Sequence, residues 1–75
     1  MNKSNFIKNF KVIHSYLLGG FKEEHNNGNV IIKKDNLSIK FDDYFVYVNV
    51  GTENKKFDYD DCKIHDYVQS ILMIN

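Results

Sequence analysis

The sequence lacks four residue types altogether: Ala, Pro, Arg and Trp. It has one cysteine, Cys62, which excludes an internal disulfide bond and fits a reducing compartment. Lys and Asn each occur ten times, so residues with AT-rich codons dominate, as in an AT-rich bacterial or phage genome. The complete absence of Arg and the net charge of zero argue against a nucleic-acid binder and against a DNA mimic.

Long hydrophobic runs are also missing. No apolar stretch approaches the length that spans a membrane, and Lys11 and His14 interrupt the N-terminal stretch, which is therefore not a signal peptide. We expect a cytoplasmic protein of a bacterial host cell, with no membrane partner. The 75 residues make one small globular domain, 1–75, near the lower limit for a core without disulfides or metals. A partner protein or a second copy, giving a homodimer, would add stability.

The chain is organised around Val30–Val50, which reads as three short strands joined by two tight turns. Apolar and polar residues alternate with the period of two that a half-buried strand requires. With Asp35-Asn36 at the centre of the first turn, Ile32 pairs with Ile39 and Val30 with Phe41. With Asp42-Asp43 at the centre of the second, Phe41 pairs with Tyr44, Ile39 with Val46 and Leu37 with Val48. Both turns place the β-branched residues on one face.

Two amphipathic helices flank these strands. The first is predicted from Ser4 or Asn5 to about Leu18, before Gly19-Gly20, with a core stripe of Phe6, Phe10, Ile13 and Leu17. The second is capped by Asp60 or Asp61 and runs to about Ile74, with a stripe of Ile64, Val68, Ile71 and Leu72.

The polar segment Phe21–Asn29, with Asn26-Asn27-Gly28 as a turn, is predicted to be a loop, with an extra edge strand as the alternative. Lys55–Tyr59 is a possible fourth strand with Phe57 and Tyr59 inward. The predicted fold is α+β with two layers. An antiparallel meander of three to four strands is covered on one face by an N-terminal and a C-terminal helix.

The best candidate for chemistry is the pair Cys62 and His65, three residues apart at the start of the second helix. A structural zinc site needs four ligands, and the sequence gives no reason to place His14 or His25 nearby. A Cys-His nucleophile would need an orienting third residue and oxyanion donors, and neither is evident. We therefore expect no catalytic residue, no metal site and no cofactor, and a protein that is not an enzyme.

The sheet face away from the helices offers a candidate binding surface. It is predicted to display Ile31, Lys33, Ser38, Lys40, Phe45, Tyr47 and Asn49. A solvated face is normally polar, so the aromatic pair needs an explanation. It indicates a protein-contact surface, which the absence of Arg favours, or a single-stranded nucleic-acid surface that stacks bases, or a tolerated apolar patch.

Charge is unevenly distributed although the net charge is zero. Residues 1–40 hold seven lysines and three acids, whereas residues 41–75 hold three lysines and seven acids. The meander is expected to bring Lys33, Lys34, Lys55 and Lys56 to one end of the sheet and Asp42 and Asp43 to the other. A fourth strand would deliver Asp58, Asp60 and Asp61 to the acidic end. Such a dipole would steer a charged partner during approach.

In size, composition and element order, the whole chain resembles the small phage-encoded inhibitors of bacterial defence, the anti-CRISPR type among them. The resemblance covers a helix, the meander VIIKKDNLSIKFDDYFVYVNV and an acid-started C-terminal helix, and no motif carries it. It implies a non-catalytic module that binds a host protein, such as a nuclease or defence complex, and blocks its site. The alternative is a small single-stranded nucleic-acid-binding domain that uses the aromatic sheet face.

Overall fold

The computed structural model describes residues 3–15 and 19–74, except for the side chain of Ile74. Its elements are α1 (Lys3–His14), β1 (Lys22–Asn26), β2 (Asn29–Lys34), β3 (Leu37–Phe41), β4 (Phe45–Val50), β5 (Glu53–Asp58) and α2 (Lys63–Ile74). The strands form one antiparallel sheet in the order β1-β2-β3-β4-β5. The predicted α+β, two-layer architecture is confirmed, with five strands in the meander.

The additional strand at one edge is β1, so the preferred prediction of a loop over Phe21–Asn29 is wrong and the edge-strand alternative is right. β1 pairs with β2 through a two-residue turn in which Asn27 has φ 53° and Gly28 has φ 83°. Positive φ at both positions defines the type I′ turn, whose twist matches that of paired strands. All five residues of β1 are polar and exposed, so the apolar alternation typical of a half-buried strand is missing.

The turn between β2 and β3 is confirmed. Ile32 pairs with Ile39 and Val30 with Phe41, as the alternation predicts. Asp35 has φ 54°, a conformation that Asp tolerates better than most residues.

The connection between β3 and β4 is longer than predicted. Phe41 pairs with Val46 instead of Tyr44, Ile39 with Val48, and Leu37 with Val50. The register therefore differs by two residues, and Tyr44 lies in the loop with 76% of its surface exposed. Because side chains alternate with a period of two, a shift of two leaves every strand residue on its predicted face.

The possible fourth strand of the prediction is present as β5, which follows β4 after a turn at Gly51 and Thr52. Phe57 lies opposite Val46 and packs against the core, as expected for an inward residue. Tyr59 lies beyond the end of the strand but also packs against the core.

Helix α1 ends at His14, four residues before its predicted end, and Tyr16, Leu17 and Leu18 lie outside the described residues. Its buried side is also rotated from the prediction. Ile13 is 56% exposed, whereas His14 is 2% exposed and belongs to the interior. At 100° per residue, Ile13 lies about 75° from the centre of the arc that Phe6, Ile7, Phe10 and His14 define.

Helix α2 begins after Asp61, whose Oδ1 accepts the N–H of Lys63 at 3.0 Å. This is the capping role predicted for Asp60 or Asp61. Ile64 and Val68 are fully buried, and Ile71 and Leu72 pack against the core. The core joins both helices to one sheet face and comprises Phe6, Ile7, Phe10, Ile32, Leu37, Ile39, Phe41, Val46, Val48, Ile64 and Val68.

Candidate functional site: the outward sheet face

The sheet face away from the helices carries all the residues predicted for partner binding. The strand register places Ile31, Lys40 and Tyr47 in one cross-strand row, and Lys33, Ser38 and Asn49 in the next. Phe45 lies two residues before Tyr47 and so shares its face. Each of these side chains is half-buried except that of Lys33, which is exposed. The predicted set therefore forms one continuous surface.

The centre of this surface is an aromatic pair flanked by two lysines. The rings of Phe45 and Tyr47 meet edge to face, with centroids 6.4 Å apart. Lys40 Nζ lies 5.5 Å from the centroid of Tyr47, and Lys56 Nζ lies 4.4 Å from that of Phe45. Both distances are within the range of cation–π attraction. The lysines are thus held beside the rings, and the surface offers apolar and cationic contacts together.

Asp42 fixes the aromatic pair from the β3–β4 loop. Its Oδ1 accepts the backbone N–H of Tyr44 at 2.8 Å and of Phe45 at 2.6 Å, and its carboxylate also accepts the hydroxyl of Tyr47. The hydroxyl of Tyr59 donates to the Asp42 carbonyl. One loop residue therefore sets the start of β4 and the position of the Tyr47 ring.

The charge state of this network follows from its hydrogen bonds. Desolvation alone would raise the pKa of the Asp42 carboxyl, but the amides of Phe45 and Tyr44 and the Tyr47 hydroxyl outweigh it, so the pKa is lowered. Desolvation and the Asp42 charge raise the pKa of the Tyr47 hydroxyl, and the same causes, with Asp43, raise the pKa of Tyr59 to about 12. Both phenols remain hydrogen-bond donors at neutral pH.

Several residues of the face were missed by the sequence interpretation. β1 adds Lys22, opposite Lys33, and Glu24, whose carboxylate lies 3.2 Å from Lys33 Nζ. β5 adds Asn54, opposite Asn49, and Asp58, opposite Phe45. The turn sequence Asn27-Gly28, a strong hairpin signal, favours the edge-strand alternative for this segment over the loop.

The predicted charge poles are present only in part. Asp42 and Asp43 lie at the sheet end where β5 delivers Asp58, and Asp60 and Asp61 follow directly in the chain. Lys33 and Lys34 lie toward the opposite end, next to the β2–β3 turn.

The other two lysines of the predicted basic pole are not at that end. Lys55 is opposite Val48 and Lys56 opposite Tyr47, in the middle of β5, so the four lysines do not share one end. Lys55 faces the helices, with Nζ 5.0 Å from the Tyr67 ring. Lys56 belongs to the aromatic surface.

A second group of polar side chains lies between the helices. His14 Nε2 and His65 Nδ1 are 3.2 Å apart and the rings are stacked, a contact that no sequence pattern predicts. Burial, and secondly the charge of His65, lower the pKa of His14 to about 4. Cys62 is exposed and lines a groove with His65, Asp60 and Asp61. Residues 3–15 and 19–74 hold no group of three or more His, Cys, Asp or Glu side chains arranged to bind a metal ion.

Neither helix, over the part of the chain that the structure describes, is long and apolar enough to cross a membrane. Comparison of the sequence and fold with protein-family models, curated proteins and solved structures gave no match.

Proposed function

We propose that this chain is a non-catalytic protein-binding module that acts by occupying a partner with its outward sheet face. The observation that carries the proposal is the Phe45–Tyr47 pair, which lies on the face opposite the core and is flanked by Lys40 and Lys56. Aromatic residues anchor protein interfaces because they bury a large area at a low cost in conformational entropy.

The charges around the pair specify the chemistry of the partner. The outward positions of the five strands hold four lysines (Lys22, Lys33, Lys40, Lys56) and two acids (Glu24, Asp58). A complementary surface would present carboxylates around an apolar centre. The partner we propose is therefore a protein with an acidic rim and an apolar depression that accepts the edge of Tyr47.

The resemblance to small phage-encoded inhibitors suggests the class of this partner. We propose a host protein of bacterial defence, such as a nuclease or its complex, that is inhibited because its working surface is covered. A module of this kind acts in the cytoplasm of the host cell and requires neither turnover nor a cofactor.

One observation favours a second function, the binding of single-stranded nucleic acid. Aromatic rings with neighbouring lysines are the arrangement that stacks bases and contacts phosphates. Here, however, each lysine already lies beside a ring, so a base must displace it in order to stack. A carboxylate of a protein partner can instead use both lysines where they stand, which makes protein the preferred ligand.

The experiment is affinity capture from a bacterial lysate, followed by kinetics with the captured protein. We compare wild type with Lys40→Glu and Tyr47→Ala, and use Lys8→Glu on the exposed side of α1 as the matched charge reversal. We expect one polypeptide to bind saturably to wild type and to Lys8→Glu. Lys40→Glu should mainly slow association, and Tyr47→Ala should mainly speed dissociation.

A parallel assay measures the binding of single-stranded RNA and DNA at about 50 mM and about 200 mM salt. Retention at low salt with a steep loss at the higher concentration would establish the nucleic-acid alternative. Capture of the same polypeptide by Lys40→Glu and Tyr47→Ala with unchanged kinetics would show that the outward face is not the binding surface.

A further inference from the structure

The two edge strands of the sheet differ in how their edges are protected. In β1 the inward side chain of Glu23 forms an ion pair with Lys11 of α1 and a hydrogen bond of 2.6 Å with His25. Inward-facing charges at an edge prevent another strand from pairing there. β5 is six residues long and pairs on one side with β4, and on its other side no described residue pairs with it.

Backbone hydrogen bonds show which groups of β5 point to this free edge. Asp42 N–H donates to Phe45 O at 3.1 Å and Phe45 N–H donates to Asp42 Oδ1, so the polar groups of Phe45 point toward β3. Asp58, which is opposite Phe45, therefore forms a non-hydrogen-bonded pair with it. The N–H and C=O of Asp58 point away from β4, toward the free edge of the sheet. By alternation, Lys56 and Asn54 do the same.

The lysines of β5 do not block this edge. Lys56 Nζ leans across Phe45 of the neighbouring strand, and Lys55 Nζ leans over Tyr67 of α2. The Asp58 carboxylate takes part in none of the ion pairs between described residues. The Asp58 carbonyl accepts the N–H of Asp61 at 3.0 Å, which leaves its second lone pair for a partner strand.

We propose that β5 pairs antiparallel with β5 of a second copy of this chain, with Phe57 opposite Phe57 on the two-fold axis. This register places Lys56 of each copy opposite Asp58 of the other, on the outward face. Lys56 and Asp58, whose N–H and C=O groups point to the free edge, then form the hydrogen-bonded pairs between the two copies. Shifting the register by two residues would place Lys56 opposite Lys56, and like charges directly opposite are unfavourable.

The inner face of the pairing is centred on Phe57, with Lys55 beside it. Phe57 already contacts Tyr67, with ring centroids 5.5 Å apart, and the two Phe57 rings would extend this cluster across the axis. The axis is perpendicular to the sheet, so both outward faces look in the same direction. With strands about 4.8 Å apart, the two Phe45–Tyr47 pairs would lie about 14 Å apart in a continuous ten-stranded sheet.

The test is sedimentation equilibrium of the whole chain over a range of concentrations. Wild type is expected to form a reversible dimer, because the short edge interface is of the weak class. Lys56→Glu and Asp58→Lys should each be monomeric, since each change places like charges opposite one another twice. The double variant Lys56→Glu/Asp58→Lys should dimerise as wild type does, and Lys22→Glu on the opposite edge should leave the equilibrium unchanged.

Mixing provides the decisive measurement. Equimolar Lys56→Glu and Asp58→Lys should form a heterodimer, because every facing pair then carries opposite charges. Circular dichroism of each single variant establishes that it is folded. A wild type that is monomeric throughout, or single variants that dimerise alone, or a mixture that stays monomeric, would overturn the proposed pairing. Lys56 also flanks Phe45 on the proposed binding face, but sedimentation uses the chain alone with no partner present, so its result is separable from that of the binding experiment.

Discussion

The buried imidazole of His14 predicts that this protein loses stability in mild acid. His14 is 2% exposed and contacts His65. The centroid of its ring lies 4.5 Å from that of Phe10. Burial lowers its pKa in the folded protein from 6.5 to about 4. The unfolded chain therefore binds a proton on His14 between these values while the folded chain does not. The free energy of unfolding therefore keeps its full value above pH 6.5 and decreases as the pH falls toward 4.

The magnitude follows from the two pKa values of His14. Between pH 7.5 and pH 5 the proton linkage of this one group lowers the free energy of unfolding by about 2 kcal/mol. A domain of 75 residues has a total of roughly 4–11 kcal/mol. Glu23 and Asp42 have lowered pKa values, so their contributions to the free energy of unfolding are lost at lower pH than that of His14. The range from pH 6.5 to pH 5 therefore separates the effect of His14 from theirs.

The assay is urea unfolding at pH 7.5, 6.5, 5.5 and 5, followed by circular dichroism, with wild type, His14→Gln and His25→Gln. Gln at position 14 can still hydrogen-bond to His65 but does not titrate. We expect His14→Gln to be less stable than wild type at pH 7.5 and nearly independent of pH across the window. His25 is exposed, and its variant should retain the acid-induced loss.

Two results would refute this reasoning. One is a wild-type protein as stable at pH 5 as at pH 7.5. The other is a His14→Gln variant whose stability falls in parallel with that of wild type. A titration of the imidazole Cε1–H resonances by NMR would give the pKa of His14 directly, and a value near 6.5 would contradict the proposed burial effect.

Further predictions concern the loop and the core. Asp42→Ala should cost about 1–2 kcal/mol, because the side chain caps two backbone amides, whereas Asp43→Ala removes an exposed ion pair with Lys3 and should change stability by less than about 0.5 kcal/mol. A loss with Asp43→Ala equal to that with Asp42→Ala would contradict this. Phe10→Ala should cost about 3–5 kcal/mol in urea unfolding, and Ile13→Ala less than about 1 kcal/mol. Equal losses would mean that α1 is rotated toward the predicted stripe.

The face of every strand residue in Val30–Val50 could be predicted, but the pairing at the second turn could not. Alternation fixes only whether a side chain points in or out, so registers that differ by two residues satisfy it equally. Because Tyr44 continues the alternation with Val46, periodicity predicts that it belongs to the strand. The decisive factor is the Asp42 carboxylate, which closes a longer loop by accepting two amides that a two-residue turn would not present.

Two of the other errors, at β1 and α1, have a common cause, which is that polar side chains occupy inward positions. β1 carries Glu23 and His25 on its inner side, where a strand pattern requires apolar residues, and Lys11 of α1 pairs with Glu23. His14 takes an inward place on α1 because His65 of α2 supplies its hydrogen bond. Periodicity detects apolar residues, and it cannot anticipate a polar residue whose partner comes from another element.

The outward aromatic pair, in contrast, could be located from sequence because folding does not account for it. Phe45 and Tyr47 lie opposite the core face, where Thr or Lys would serve the strand equally well. Their half-buried rings gain less from removal from water than the fully buried Phe41 and Phe10 do. What the fold contributes is position, since Asp42 and the flanking lysines hold the rings in one arrangement before any partner arrives. An anchor fixed in advance loses less entropy on binding, which is the physical reason to seek the function on this face.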